Sequence, residues 1–207
     1  MNKKLFLSSS FSDVVKLFKS FAKEDVTGKT VTFIPTASIH EEVRFYVDSA
    51  KEAFEEMGVI VDELELTQST YDEIANKLKK NDYIYLSGGN TFFLLQELRS
   101  TGADIIIVEQ IKSGKLYIGE SAGSMVVSPD ITYVKDMDDC NVATDLETFS
   151  ALNVIDFYPV PHYTNFPFEE AVETIIAKYN AELTLCPINN SQAILVTGTE
   201  IKVETED

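Results

Sequence analysis

Four consecutive apolar residues, Tyr83-Ile84-Tyr85-Leu86, run directly into Ser87-Gly88-Gly89-Asn90-Thr91. No other stretch restricts the fold as much. Side chains of a strand point alternately to opposite faces, so a strand that is apolar at every position must be covered on both. The sequence around it supplies that cover by alternating strands with helices. Lys4–Leu7 and Thr30–Ile34 read as strands, and Val59–Leu66 as a third. Val14, Leu17, Phe18 and Phe21 recur at helical spacing after Ser12, a candidate N-cap. Val43, Tyr46, Val47, Ala50, Phe54 and Met57 form the apolar stripe of a longer helix ending at Gly58. Helices are expected over Tyr71–Leu78, capped by Ser69 or Thr70, and over Phe92–Leu98 and Ile105–Ile111. Leu116–Ile118 is the fifth strand.

Strand and helix in alternation imply an α/β fold, a mostly parallel sheet with helices on both faces. Ligands of such sheets bind beyond the carboxyl ends of the strands. Two glycine-marked loops, 87–91 and 119–123, fall at such ends. The last third is less regular. Ile131–Val134, Val154–Val160 and Leu183–Cys186 read as strands, Phe168–Tyr179 as a helix, and Ala193–Val196 with Ile201–Val203 as a closing hairpin. With 207 residues and no linker, repeat or low-complexity segment, one domain over 1–207 is expected.

The charge narrows the partners. Thirty-four acidic against 17 basic residues give −17. Nucleic acid and anionic membranes need a positive face, so neither is expected as a partner. No apolar run approaches the roughly 20 residues that cross a bilayer. The first residues, with only Leu5-Phe6-Leu7 before three serines, read as a strand and not a targeting segment, so a cytoplasmic location is expected. Cys140 and Cys186 suggest no disulfide there. No CxxC occurs, and His40 and His162 are far apart, so no metal and no cofactor is expected.

Gly119-Glu120-Ser121-Ala122-Gly123 fits the G-x-S-x-G nucleophile elbow, in which a serine projects from a sharp turn between strand and helix. Flanking glycines relieve crowding, and the following helix points free N–H groups and its dipole at the site. The N–H of Ala122 can then donate to an oxyanion. Gly88-Gly89 lets a second backbone segment approach the substrate closely and supply another donor; Asn90 would cap the next helix beside it. A serine hydroxyl needs a base. His162, in Pro161-His162-Tyr163-Thr164-Asn165 after a strand, is the choice, with His40 kept as a substrate-facing candidate. A third group should orient the imidazole. Asp130, Asp136, Asp138, Asp139, Asp145 and Glu147 lie between the two, and spacing does not choose among them.

The three motifs 87–91, 119–123 and 161–165, in that order and at that approximate spacing, resemble the peptidase E family of serine peptidases (peptidase family S51), to which the cyanophycinases are related. The resemblance covers nearly the whole chain. It implies a three-layer α/β/α sandwich of the class I glutamine-amidotransferase type, with serine where the amidotransferases carry cysteine. It implies cleavage of short peptides after an N-terminal aspartate, or of β-aspartyl-arginine units in the relatives. Carried over by motif, Ser121 is the nucleophile, His162 the base, and Gly89 and Ala122 the oxyanion donors. The family's acid precedes a methionine, which favours Asp136, followed by Met137. Glu120 stands where peptidase E carries a bulky aromatic, and Asp136 to His162 is a few residues longer, so specificity is expected to have diverged around Glu120. The expected partner is a small peptide substrate, for a monomer or homodimer. Two other readings are an α/β-hydrolase esterase and a non-catalytic binding protein. The first is disfavoured because Ser121 to Asp136 is too short for the strand-helix-strand unit that fold places there.

Overall fold

The computed structural model describes residues 3–206. In chain order its elements are β1 (Lys4–Ser8), α1 (Val15–Ala22), β2 (Thr30–Ile34), α2 (Phe45–Glu56), β3 (Ile60–Glu63), α3 (Tyr71–Lys80), β4 (Tyr83–Leu86), α4 (Thr91–Ser100), α5 (Ala103–Lys112) and β5 (Leu116–Glu120). There follow α6 (Ala122–Met125), β6 (Tyr158–Val160), α7 (Glu169–Tyr179), β7 (Leu185–Pro187), β8 (Gln192–Thr197) and β9 (Glu200–Thr205). Local chemistry sets several boundaries. Thr70 and Glu73 form a reciprocal capping box at the start of α3, which ends in Lys77, Lys79 and Lys80, as its dipole favours. Asn90 caps α4, its side-chain oxygen accepting the Phe93 N–H at 2.9 Å.

The main sheet has the order β3-β2-β4-β5-β1-β8-β9. The first five strands are parallel, and β8 and β9 add an antiparallel hairpin. Strand alternation sorts the core into two chemistries. Leu5, Leu7, Ile84, Leu86 and Tyr117 meet the aliphatic side chains of α3, α4, α5 and α7 on one face. Phe6, Phe33, Tyr83, Tyr85 and Ile118 meet Phe18, Phe21 and Phe54 of α1 and α2 on the other. There the rings pack closely: Phe33 stacks on Tyr85 at 4.5 Å and Phe11 on Phe54 at 4.4 Å. All four residues of β4 are buried, as its composition requires.

Beyond α6 the chain departs from expectation. Residues 132–136 form a 3₁₀ turn where a strand over Ile131–Val134 was expected. Asp130 Oδ1 accepts the Thr132 N–H at 2.7 Å and starts that turn. Ile131, Tyr133 and Val134 are all buried, and so short an apolar run does not tell strand from helical turn. Of the two expected late strands, Val154–Val160 forms only over Tyr158–Val160, and Leu183–Cys186 is displaced to Leu185–Pro187. They pair in parallel as a separate two-stranded sheet. Among the described residues no helix is long and apolar enough to cross a membrane.

Candidate active site

β1, β4 and β5 lie side by side, so the loops at their carboxyl ends converge. Ser121 follows β5 with φ 48° and ψ −104°, a sparsely populated conformation for a residue with a side chain. Its N–H donates to the Ser8 carbonyl at 2.9 Å, which pins the turn to the end of β1. A Cβ at Gly123 would fall on the Leu86 carbonyl, so the turn after the serine closes this tightly only with glycine. The helix behind the serine is shorter than the elbow motif implies. α6 is one turn, because residues 126–128 leave the helix to bond with 152–154. What it offers the site is a backbone N–H, that of Ala122, more than a long dipole.

Gly89 has φ 128°, and a Cβ there would collide with the Ala37 carbonyl. The Asn90 N–H donates to that same carbonyl at 2.8 Å, which locks the loop onto residues 36–38. A Cβ on Gly88 would lie 3.4 Å from the Ser121 Cβ, so this loop flanks the serine directly. The N–H groups of Gly89 and Ala122 are committed to no hydrogen bond among the described residues.

Ser121 Oγ lies 2.9 Å from His162 Nε2. His162 follows β6 with φ 65°, and its ring stacks on Phe168 at 4.6 Å. Nδ1 lies 3.0 Å from Asn190 Oδ1, an acceptor that places the ring proton on Nδ1 and leaves the Nε2 lone pair for the serine. Asn190 is itself held, its backbone N–H donating to Asn165 Oδ1 at 2.9 Å. Burial pushes the imidazole below its ordinary pKa, and the Asn190 bond opposes this. Burial thus favours the neutral form of this ring.

Sequence reasoning placed Ser121, His162, Gly88, Gly89, Asn90 and Ala122 together, and the structure brings them together. Asp136 is elsewhere: its carboxylate pairs with Lys178 of α7 at 3.1 Å, and Asn190 occupies the position expected for the acid. Asp130 and Asp139 serve local turns, whereas Asp138 reaches across to the start of α4. Asp138 accepts the Thr91 N–H at 2.8 Å; burial holds its pKa up, at about 6, against that bond. Asp139 accepts the Asn141 N–H. His40 is exposed and lies edge-on to Phe93, without a bond to Ser121. Glu120 points away from the cleft. It is 2% exposed, accepts the Phe11 N–H at 3.0 Å and the Tyr85 hydroxyl, and sits on the aromatic face of the sheet. Burial raises it to about 7, against the two hydrogen bonds. It cannot line a substrate pocket there.

Asn190 and Ser9 are the residues that sequence reasoning missed. Ser9 Oγ accepts the His162 backbone N–H at 3.0 Å. Asn190 follows β7, and the one available signal was position: a polar Asn-Asn-Ser run just past a strand end.

A coupled serine and histidine beyond the strand ends of a helix-covered parallel sheet is the layout of a nucleophile-and-base hydrolase. The model of Peptidase family S51 matches residues 5–204, and the chain belongs to that family of peptidases. An uncharacterized peptidase of Pasteurella multocida (strain Pm70), PM1590, is 57% identical over 196 residues, 95% of this chain and 94% of its own. A crystal structure from Listeria monocytogenes EGD-e covers 99% of both chains at 50% identity, with a TM-score of 0.95. Peptidase E of Salmonella typhimurium (strain LT2) is 33% identical over 137 residues, 66% of this chain and 56% of its own.

Proposed function

We propose that this chain is a serine peptidase that hydrolyses short peptides through an acyl-enzyme on Ser121. The observation that carries the reading is the 2.9 Å approach of Ser121 Oγ to His162 Nε2, with the serine held at φ 48°. In this mechanism Nε2 takes the hydroxyl proton as Oγ attacks the peptide carbonyl. The tetrahedral oxyanion receives the N–H groups of Gly89 and Ala122. The imidazolium then protonates the leaving amine, and water releases the acyl group by the same route reversed.

The orienting group in this site is an amide. Asn190 fixes the tautomer and the ring plane, and it supplies no charge to the imidazolium. Loss of such an orienter in Ser-His-Asp enzymes is costly mainly through the wrong tautomer, and Asn190 Oδ1 selects the right one. Membership of the family supports short peptides as the substrate class, with dipeptides carrying N-terminal aspartate the first to try. Glu120 does not oppose an acidic substrate, since it lies beneath the turn.

A fluorophosphonate probe tests the reading. Mass spectrometry of the folded protein should find one adduct, on the peptide containing Ser121. No adduct on Ser121, together with hydrolysis that persists in Ser121→Ala, would overturn it.

A further inference from the structure

The hydrogen bonds around the end of β1 converge on one turn, Ser8–Phe11. On one side it holds the nucleophile. The Ser8 carbonyl accepts the Ser121 N–H at 2.9 Å and the Ser124 hydroxyl at 2.8 Å, and Ser8 Oγ donates to the Gly119 carbonyl at 3.2 Å. Three residues on, the Phe11 N–H donates to Glu120 Oε1 at 3.0 Å, while the Tyr85 hydroxyl donates to the other carboxylate oxygen. On the other side the turn holds the base. Ser9 Oγ accepts the His162 N–H at 3.0 Å and donates to the Ile188 carbonyl at 3.1 Å. That carbonyl also accepts the Tyr163 N–H at 3.0 Å.

We propose that Ser9 and Glu120 are positioning residues that register His162 on Ser121 through the Ser8–Phe11 turn. The proposal rests on the reading of Ser121 and His162 as nucleophile and base. Ser121 follows a strand of the main sheet and His162 a strand of the two-stranded sheet, and no strand pairing joins those sheets. Glu120 fixes the far end of the turn to β5, one residue before the nucleophile. Ser9, in the middle of the turn, grips the backbone N–H of His162, whose φ of 65° has to be held against the ordinary preference of its residue type. Both side chains are buried, so their bonds do not compete with water.

The brace is charge-assisted while Glu120 is ionised, since a carboxylate accepts from both donors more strongly than a carboxylic acid does. The titratable groups that face it are Tyr85 of β4, Tyr46 of α2 and Asp13, just past the turn. None of them is a cation. Its pKa of about 7 lies above that of His162, which burial lowers from 6.5. Protonation of Glu120 therefore weakens the brace before the base itself is lost.

Three measurements test this. The first is the fluorophosphonate labelling rate of Ser9→Ala, folded as judged by circular dichroism. A buried hydrogen bond lost at a positioning group should slow it by about tenfold. The second is the His162 ring in NMR, separable because His40 is the sole other histidine. Wild type should show a single set of ring shifts, and Ser9→Ala should show them broadened or doubled as the backbone that carries the ring loses its anchor. The third is the pH profile of Glu120→Gln, which keeps an oxygen for Phe11 and cannot ionise. It should lose the decline near pH 7 and keep the lower step of His162. A folded Ser9→Ala labelled within about twofold of wild type, with a single unbroadened set of His162 ring shifts, overturns the proposal. If Ser9→Ala does not fold, a Glu120→Gln profile superimposable on wild type overturns it. An unlabelled wild-type protein would sink the peptidase reading instead, and the ring measurement would still decide the brace.

Discussion

The proposed nucleophile and the proposed base come from two regions of the molecule that are built differently. Ser121 leaves a strand at the centre of a seven-stranded sheet, and the glycine after it packs on the Leu86 carbonyl. His162 leaves a three-residue strand of a two-stranded sheet, in a loop where His162 and Thr164 both have positive φ. Ser121 is held by steric necessity. His162 is held by side-chain hydrogen bonds from Ser9 and Asn190, with Phe168 stacked against its ring. Fixing a strained turn takes a rigid core. Fixing a ring orientation takes a few directional polar contacts, and these can be changed without breaking the fold. The serine side should therefore answer mutation with stability, and the histidine side with activity.

The largest effect expected on that contrast is at Gly123. Gly123→Ala forces a Cβ onto the Leu86 backbone, and should cost on the order of 4 kcal/mol or abolish folding, read as a drop in Tm. On the histidine side, Asn190→Ala should leave Tm nearly unchanged and lower kcat by roughly 100-fold with little change in KM, since orientation and tautomer are lost but binding is not. Asp136→Asn, which touches only Lys178, should stay within about twofold of wild type. If Asp136→Asn costs as much as Asn190→Ala, the assignment of the orienter is reversed.

Glu120 gives a pH test of the rigid side. Its folded pKa of about 7 lies above the unfolded carboxylate value of about 4.3. The native state binds the extra proton between those values, so its stability falls as pH rises from about 4.5 to 7. The shift corresponds to something on the order of 3 kcal/mol. Denaturant titrations of wild type and Glu120→Gln should thus diverge in favour of the variant as pH rises through that window. Parallel curves would mean that the carboxylate is better compensated than its surroundings indicate. The smallest effect is expected at Thr164, where φ is 62°. Thr164→Gly should relieve that conformation and stabilise by a few tenths up to about 1 kcal/mol.

The same contrast explains what the sequence made legible. The alternation of β1 to β5 with helices, the glycines of 87–91 and the serine turn are local signals, and each appears where periodicity and turn chemistry put it. His162 was legible because a serine at such a turn needs a base and few were on offer. Asn190 was not. It reaches His162, 28 residues away, only because β6 and β7 pair in a sheet that two runs this short do not announce. The expectation of an acid drew attention to Asp136, which the 3₁₀ turn directs to α7 instead. Glu120 was more readable than it first looked. It shares a face with Leu116 and Ile118 by strand alternation, and both of these belong to the aromatic side of the sheet.

The central claim is that Ser121 is the nucleophile of a peptidase. The most direct measurement is a panel of dipeptides with N-terminal Asp, Glu, isoaspartyl and neutral residues, assayed with wild type and Ser121→Ala. The account predicts that wild type cleaves at least one member and that Ser121→Ala lowers that rate by roughly 10³-fold or more. Cleavage by Ser121→Ala at the wild-type rate would contradict it.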